Sequence, residues 1–378
     1  MKNIKFILIF LFLQGVCLAQ NESAKLKTKD YIFLSLNYHQ GTIMPTNPFV
    51  KGENETGLPI DKYRGASFKL GWQNPGYTQW QRVYHAPYYG IGFWTGDFNS
   101  RELGNPMALY GFLGIPLFRL KWMELYADLQ FGTAWHWRYY DSITNPNNIA
   151  IGGSMTVYID VGLNAFVPLS KRLDLGAGLT FSHFSNGGFE RPNRGLNIYS
   201  PSIELKYHLR GRPETNGLPK AEKETKTHDL YLMLGYGDHQ LNEHELDTNY
   251  FAVGGISAFY QLRHSNAWRS GLGVDMNYWW GLNANPDGTP GPRNLENLTF
   301  GLIYQPELII GDLSVVLGIG MYARNYRYGN WNQFYQRLGV NYRIYNNLTF
   351  GVNIRAVNFM LAEFLEFNLG YRLKWERD

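Results

Sequence analysis

The sequence predicts an all-β fold, a transmembrane antiparallel β-barrel, and three observations lead to this prediction. Segments of roughly 8–14 residues between Tyr31 and Trp375 alternate apolar residues with polar or small ones, which is the period of a strand with two unlike faces. Aromatic residues make up 16% of the chain and there are 41 glycines, whereas charged residues make up only 17%. The chain also begins with an export-like segment. An exported chain that is rich in aromatics and poor in charge fits a membrane β-barrel better than a secreted enzyme.

The first residues predict a signal peptide over 1–19. A short basic start precedes an apolar run over 6–13 that is too short to cross a bilayer, and the small residue Ala19 ends the segment. Cys17 allows the alternative of a lipoprotein signal, but Gly15-Val16 is a poor approach to a lipidated cysteine. Since Cys17 is the only cysteine, cleavage after Ala19 leaves a mature chain without disulfides or thiol chemistry.

The remaining sequence argues against several classes of protein. No second apolar run reaches about 18 residues, so no transmembrane helix is expected. The net charge of +4 is too small to indicate a strongly charged partner. We find no metal-ligand spacing, no phosphate-binding loop and no nucleic-acid patch, so we expect no metal, no cofactor and no nucleic-acid partner. The oligomeric state is left open.

The polar faces of the predicted strands indicate what fills the barrel. On the fifth strand the inward face is bulky and charged, with Trp122, Glu124, Tyr126 and Asp128. A polar interior and an apolar exterior are typical of a barrel in lipid. Four tryptophans are predicted to lie in aromatic girdles at the membrane interfaces: Trp135, Trp137, Trp279 and Trp280.

The connections alternate in length. Tight turns are predicted at Leu120, Ser170 and 345–347, and long polar loops over 39–63, 136–149, 185–196, 282–297 and 325–333. Outer-membrane barrels have short periplasmic turns and long external loops. If the first strand runs outward, the seventh does too, so its end near His183 lies at the outer rim.

The chain is predicted to contain two eight-stranded repeats, over 20–209 and 230–378, separated by a polar linker over 210–229. These could form two barrels in tandem or one barrel of about sixteen strands. An eight-stranded barrel has an interior just wide enough for side chains to fill, which suits the bulky inward face of the fifth strand. A single large barrel also needs only a short turn where this chain has a linker. We therefore favour two barrels.

A candidate reactive pair lies at the end of the seventh strand. Leu179 and Phe181 lie on its apolar face, and His183 and Ser185 continue that face because residues i and i+2 of a strand point to the same side. A serine hydrolase needs at least a nucleophilic serine and a histidine that can take the proton of that serine. The second repeat has Asn358 and Met360 at the corresponding positions and therefore lacks the pair. The other His–Ser pair, His264-Ser265, is adjacent in sequence and is predicted to lie in a turn.

The segment around this pair resembles a known family. His183-Phe184-Ser185-Asn186-Gly187, followed by the segment 192–200, resembles the outer-membrane lipid A 3-O-deacylases of PagL type, which are eight-stranded barrels. The resemblance covers residues 30–209 and is sharpest over 181–200. It implies that Ser185 is the nucleophile and His183 the base. The third catalytic residue of that family is a glutamate, where this chain has Asn197. The same segment also resembles outer-membrane phospholipase A, in which an asparagine orients the histidine.

The residues around the pair suggest further roles. Asn197 lies on the same face as His183, and an amide oxygen can accept a hydrogen bond from the imidazole and fix its tautomer. Glu190 is the rival orienter, in the loop. The backbone N–H groups of Asn186, Gly187 and Gly188 are candidates for an oxyanion hole.

Three functions remain open on the sequence. Favoured is an esterase of the Gram-negative outer membrane that removes an ester-linked acyl chain from lipid A, with Arg191 and Arg194 as candidates for pairing with lipid A phosphates. The first alternative is a phospholipase that uses the same residues. The second is a barrel without chemistry, such as a porin or a structural protein.

Overall fold

The protein forms two closed antiparallel β-barrels of eight strands each, as the sequence predicts. The computed structural model describes residues 30–215, 217–240, 250–282, 284–285, 289, 291–325, 333–358 and 361–376. The predicted signal peptide, with Cys17, and Met360 lie outside these residues. No helix in the described part of the chain is both long enough and apolar enough to cross a bilayer.

The first barrel is built from strands that neighbour one another in sequence and closes by pairing β1 with β8. Its strands are β1 (Ile32–Ile43), β2 (Lys62–Trp72), β3 (Tyr88–Asp97), β4 (Gly104–Arg119), β5 (Glu124–Trp137), β6 (Met155–Pro168), β7 (Leu173–Ser185) and β8 (Leu196–His208). Two short helices lie in its connections, α1 (Pro48–Lys51) and α2 (Gln79–Val83).

The second barrel has the same order and closes by pairing β9 with β16. Its strands are β9 (Thr227–Gln240), β10 (Tyr250–Arg263), β11 (Trp268–Trp279), β12 (Leu298–Ile310), β13 (Leu313–Arg324), β14 (Phe334–Tyr345), β15 (Leu348–Val357) and β16 (Leu361–Glu376). A short 3₁₀ helix, Leu295–Asn297, precedes β12. Thr227 to Asp229, which the sequence assigns to the linker, are strand residues because Asp229 is fully buried in the interior and pairs with Arg269 and Arg372.

Large side chains fill the interior of the first barrel. Lys69 and Glu204 form a buried ion pair with 2.8 Å between Nζ and Oε2, and the side-chain exposure of each is 2%. The ammonium group of Lys206 lies 3.5 Å from the ring centroid of Phe166. These contacts satisfy buried charges that an apolar core would leave unpaired.

The interior of the second barrel is also charged. Arg337 lies 3.1 Å from both Asp275 and Glu366, and the guanidinium of Arg372 lies 3.1 Å from Glu307. The alternating outward residues are exposed and apolar, such as Leu234 and Leu272. Both barrels therefore show the inside-out polarity expected of barrels in lipid.

The loops after β1, β3, β5 and β7 meet at one end of the first barrel and pack together. Several of their apolar residues are almost completely buried: Phe49, Ile60, Phe98, Leu103, Ala150 and Ile151. The side-chain amides of Asn145 and Asn148 both donate to the carbonyl oxygen of Glu102, at 2.9 Å. This end of the barrel is therefore a packed cap, and the strand that carries His183 ends at it.

Three tryptophans differ from their predicted places. Trp122 is not on the inward face of β5, because it lies in the turn before that strand and is 62% exposed. Trp137 points inward and is buried, because His136 adopts a left-handed φ of 69° and breaks the alternation after Trp135. Trp279 is fully buried and its indole N–H donates to Thr299 at 3.1 Å. Neither Trp137 nor Trp279 belongs to an aromatic girdle.

Candidate functional site

His183 and Ser185 lie side by side at the end of β7. The alternation of β7 exposes Leu175, Leu179 and Phe181 on the outer wall of the barrel, and the same parity continues through His183. His183 Nε2 lies 3.0 Å from Ser185 Oγ, within hydrogen-bonding distance. His183 is half-buried and Ser185 is 7% exposed. A histidine nitrogen at this distance is in place to take the hydroxyl proton.

Asn197 faces His183 from the neighbouring strand. The register of β7 and β8 pairs these two residues directly. His183 Nδ1 lies 2.7 Å from Asn197 Oδ1. An amide oxygen only accepts hydrogen bonds, so Nδ1 carries the proton and Nε2 presents its lone pair to Ser185. The structure therefore brings together Ser185, His183 and Asn197 in a continuous chain of hydrogen bonds.

Gly195 allows the chain to pass close to the pair. Its φ is +72°, a left-handed conformation that favours glycine, and a Cβ built there would lie 3.1 Å from His183 Cε1 and 3.0 Å from the carbonyl oxygen of Phe184. The N–H of Gly195 donates to the carbonyl oxygen of Ala150 at 2.9 Å. The sequence pattern did not point to Gly195, although the residue stands only two positions before the predicted orienter Asn197.

The three candidate oxyanion donors follow Ser185 directly in the chain. The N–H of Asn186 donates to Asn193 Oδ1 at 3.1 Å, so in this structure that donor is already engaged. Gly187 and Gly188 have positive φ values of 70° and 82°. The chain divides into two compact units. Gly187 and Gly188 belong, with the segment Gly187–Arg191, to the second unit, whereas Asn186 belongs to the first.

Glu190 and Arg191 also lie in the segment assigned to the second unit, where the N–H of Arg191 donates to Gln240 Oε1 at 2.8 Å. Arg194 belongs to the first unit, its side chain is exposed, and its N–H donates to the carbonyl oxygen of Ile149 at 2.9 Å. The partner of His183 Nδ1 is Asn197 and not Glu190.

A second His–Ser contact occurs in the other barrel. His264 Nε2 lies 2.8 Å from Ser270 Oγ, and His264 and Ser265 both close the turn between β10 and β11 through backbone bonds to Trp268. Among the described residues, no group of three or more His, Cys, Asp or Glu side chains is arranged to hold a metal ion.

The fold and the site define a class of protein: membrane β-barrels that carry a His-x-Ser pair on the outer wall of a strand. Residues 66–206 match the family model described as lipid A 3-O-deacylase (PagL), and residues 228–375 match the model described as acyloxyacyl hydrolase, C-terminal domain. The chain belongs to the PagL-type family of lipid A deacylases.

Individual proteins are also similar to this chain. The chain is 29% identical over 137 residues to the lipid A deacylase PagL of Bordetella bronchiseptica, a match that covers 36% of this chain and 67% of that protein. The crystal structure of the outer membrane enzyme PagL aligns with 45% of this chain and 97% of that chain, at 14% identity and a TM-score of 0.30. The Acinetobacter baumannii outer membrane protein Omp33 aligns over 92% of this chain and 99% of its own, at 8% identity and a TM-score of 0.16.

Proposed function

We propose that this chain is an outer-membrane serine esterase that removes an ester-linked acyl chain from lipid A. The observation that carries the proposal is the hydrogen-bonded chain Ser185–His183–Asn197 on the outer wall of the first barrel. The membership of the chain in the PagL-type family supports lipid A as the substrate and the Gram-negative outer membrane as the location.

In the proposed mechanism Ser185 Oγ attacks the ester carbonyl while His183 Nε2 takes the hydroxyl proton. The tetrahedral intermediate collapses to an acyl-serine as the C–O bond to the leaving group breaks, and His183 gives the proton to the departing alkoxide oxygen. Water, deprotonated by His183, then attacks the acyl-serine, and His183 returns this proton to Ser185 Oγ as the bond to the fatty acyl group breaks. Asn197 keeps the imidazole in the tautomer that these steps require.

The position of the site suits an ester within a bilayer. Exposed apolar side chains of β7 and β8, including Phe181 and Ile203, lie on the same wall as His183. Acyl chains of a lipid can pack against this wall, so a substrate need not leave the membrane to reach Ser185. A short, water-soluble ester has no long acyl chain to pack against this wall. The apolar wall therefore favours a lipid substrate.

Stabilisation of the oxyanion is assigned to backbone N–H groups after Ser185. Asn186, Gly187 and Gly188 are the candidates, and the N–H of Asn186 must first leave Asn193 Oδ1 to serve in this role. Removal of one such donor typically lowers kcat by about 10²–10³. Arg191 and Arg194 remain candidates for pairing with lipid A phosphates.

The two repeats have different proposed roles. We assign the active site to the barrel within 20–209 and no hydrolytic site to the repeat within 230–378, because Asn358 follows β15 where His183 stands in the first repeat. The predicted export signal over 1–19 and the linker, which ends before β9 begins at Thr227, complete this division.

A test of the function uses Ser185→Ala and His183→Ala in the full chain, followed by mass spectrometry of lipid A and of phospholipids from the same membranes. Loss of lipid A deacylation in both variants supports the proposal. Loss of phospholipid cleavage alone means a phospholipase with the same residues. No change in either lipid class means a barrel without this chemistry.

A further inference from the structure

The first five residues of the β1–β2 loop, 44–48, are hydrogen-bonded to the chain at the start of β8. The N–H of Met44 donates to the carbonyl oxygen of Asn197 at 2.8 Å, and the side chain of Asn47 donates to the carbonyl oxygen of Gly195 at 3.0 Å. Asn47 is buried and also caps helix α1 by accepting from the N–H of Val50 at 3.2 Å. The loop is therefore held at two points next to Asn197.

Thr46 lies between these two points and contacts the side chain of Asn197. The amide nitrogen Nδ2 of Asn197 donates to Thr46 Oγ1 at 3.3 Å. The hydroxyl of Thr46 is in turn 3.5 Å from the carbonyl oxygen of Met44, a long contact, and the N–H of Thr46 donates to that same oxygen at 2.8 Å. A hydroxyl that directs its proton to a carbonyl presents its lone pairs to a donor, here Asn197.

The orientation of the Asn197 amide matters because its two ends are chemically unlike. With Oδ1 toward His183, the ring carries its proton on Nδ1 and has a lone pair on Nε2 for the proton of Ser185. If the amide turned over, Nδ2–H would face Nδ1 and would favour the opposite tautomer. Nε2 would then carry a proton and could not accept another from Ser185. A carboxylate has two like ends and needs no such orientation.

We propose that Thr46 is a positioning residue that selects the productive orientation of Asn197 and, through it, the tautomer of His183. The inference rests on the proposed function, because it assigns His183 as the base. It adds a fourth residue from a distant segment: Thr46 precedes Asn197 by 151 positions. Thr46 acts on the reaction only through Asn197.

The test compares Thr46→Val with Thr46→Ser in the full-length protein, assayed on purified lipid A in detergent micelles. Valine keeps the shape of threonine but removes the acceptor, so kcat should fall by about three- to tenfold, the effect of losing one ordinary neutral hydrogen bond. KM should stay unchanged, and Thr46→Ser should keep wild-type kcat. Thr42→Val is the matched control, because Thr42 is an exposed threonine of β1 in the same neighbourhood and should leave kcat unchanged.

A second comparison separates orientation of the amide from a general structural effect. In an Asn197→Asp background the acceptor has two like ends, so adding Thr46→Val should no longer lower kcat. The proposal is overturned if Thr46→Val has wild-type kcat, if it raises KM alone, or if it lowers kcat equally in the Asn197→Asp background. Failure of the proposed function would appear differently, as full activity of Ser185→Ala.

Discussion

His183 Nδ1 lies 2.7 Å from Asn197 Oδ1, and the two residues are direct partners across β7 and β8. The strand register brings the residues together, and the hydrogen bond then fixes the imidazole. A slip of the register by one residue would turn the side chain of Asn197 to the other face of the sheet. The pairing of two strands thus decides which nitrogen of His183 faces Ser185.

The first prediction concerns Asn197. Asn197→Ala should lower kcat by at least about 100-fold, because the wrong tautomer of a triad histidine is severely inactive. Asn197→Glu should retain activity, since a carboxylate also accepts from Nδ1. Steady-state deacylation of lipid A by the purified variants provides the measurement. Glu190→Ala is the control and should be silent; if instead it is the damaging change while Asn197→Ala is silent, Glu190 orients His183.

The second prediction concerns Ser185. Ser185→Ala should abolish deacylation and leave both barrels folded, because the loss of a triad member typically costs several orders of magnitude in rate. Folding is checked by heat-modifiable migration on a gel. Ser270→Ala removes a hydroxyl that also lies against a histidine, His264, and should leave activity unchanged. Near wild-type deacylation by Ser185→Ala would exclude Ser185 as the nucleophile.

The third prediction concerns Gly195. Gly195→Ala should lower both activity and stability, because the added Cβ meets His183 and the backbone has φ +72°. The left-handed conformation alone costs about 1–2 kcal/mol. Gly217→Ala is a matched control: its φ is +71°, and a Cβ there meets nothing within 4 Å. Equal activity losses in the two variants would mean that the contact with His183 has no role.

The fourth prediction concerns the interior of the first barrel. Lys69→Met should lower the free energy of unfolding by about 3–5 kcal/mol, because it leaves the buried carboxylate of Glu204 without its ion-pair partner. Arg343→Met removes the cation from an exposed pair with Asp312 and should cost at most about 1 kcal/mol. Urea unfolding in detergent, followed by tryptophan fluorescence, measures both. Similar losses for the two variants would contradict the prediction.

The fifth prediction concerns the two barrels. Residues 20–212, expressed alone in detergent or bilayers, should fold and migrate as a heat-modifiable species, because β1 closes on β8 without strands from the second barrel. The fragment is also expected to deacylate lipid A, and residues 222–378 alone are not. A fragment 20–212 that cannot fold would contradict the independence of the first barrel.

Much of the fold is predictable from the sequence because alternation is a local property. A strand of period two assigns each side chain to a face, so two barrels, a polar interior and an apolar exterior follow from the sequence alone. The same rule puts His183 and Ser185 on one face, and Asn197 on the corresponding face of the next strand. The length of the linker and the bulk of the residues predicted to point inward indicate two small barrels and not one large one.

The alternation rule fails where the backbone leaves the strand conformation. The left-handed φ of His136 turns Trp137 into the interior, and the turn before β5 puts Trp122 outside it. Thr46 contacts the site from a segment that is far away in sequence. Gly195 contacts it from the loop after β7, where the chain passes close to His183. Such contacts depend on strand register and loop packing, which no local pattern encodes. The sequence therefore determined the barrels and the faces of the reactive residues, and only the tertiary structure decided which distant side chains hold those residues in place.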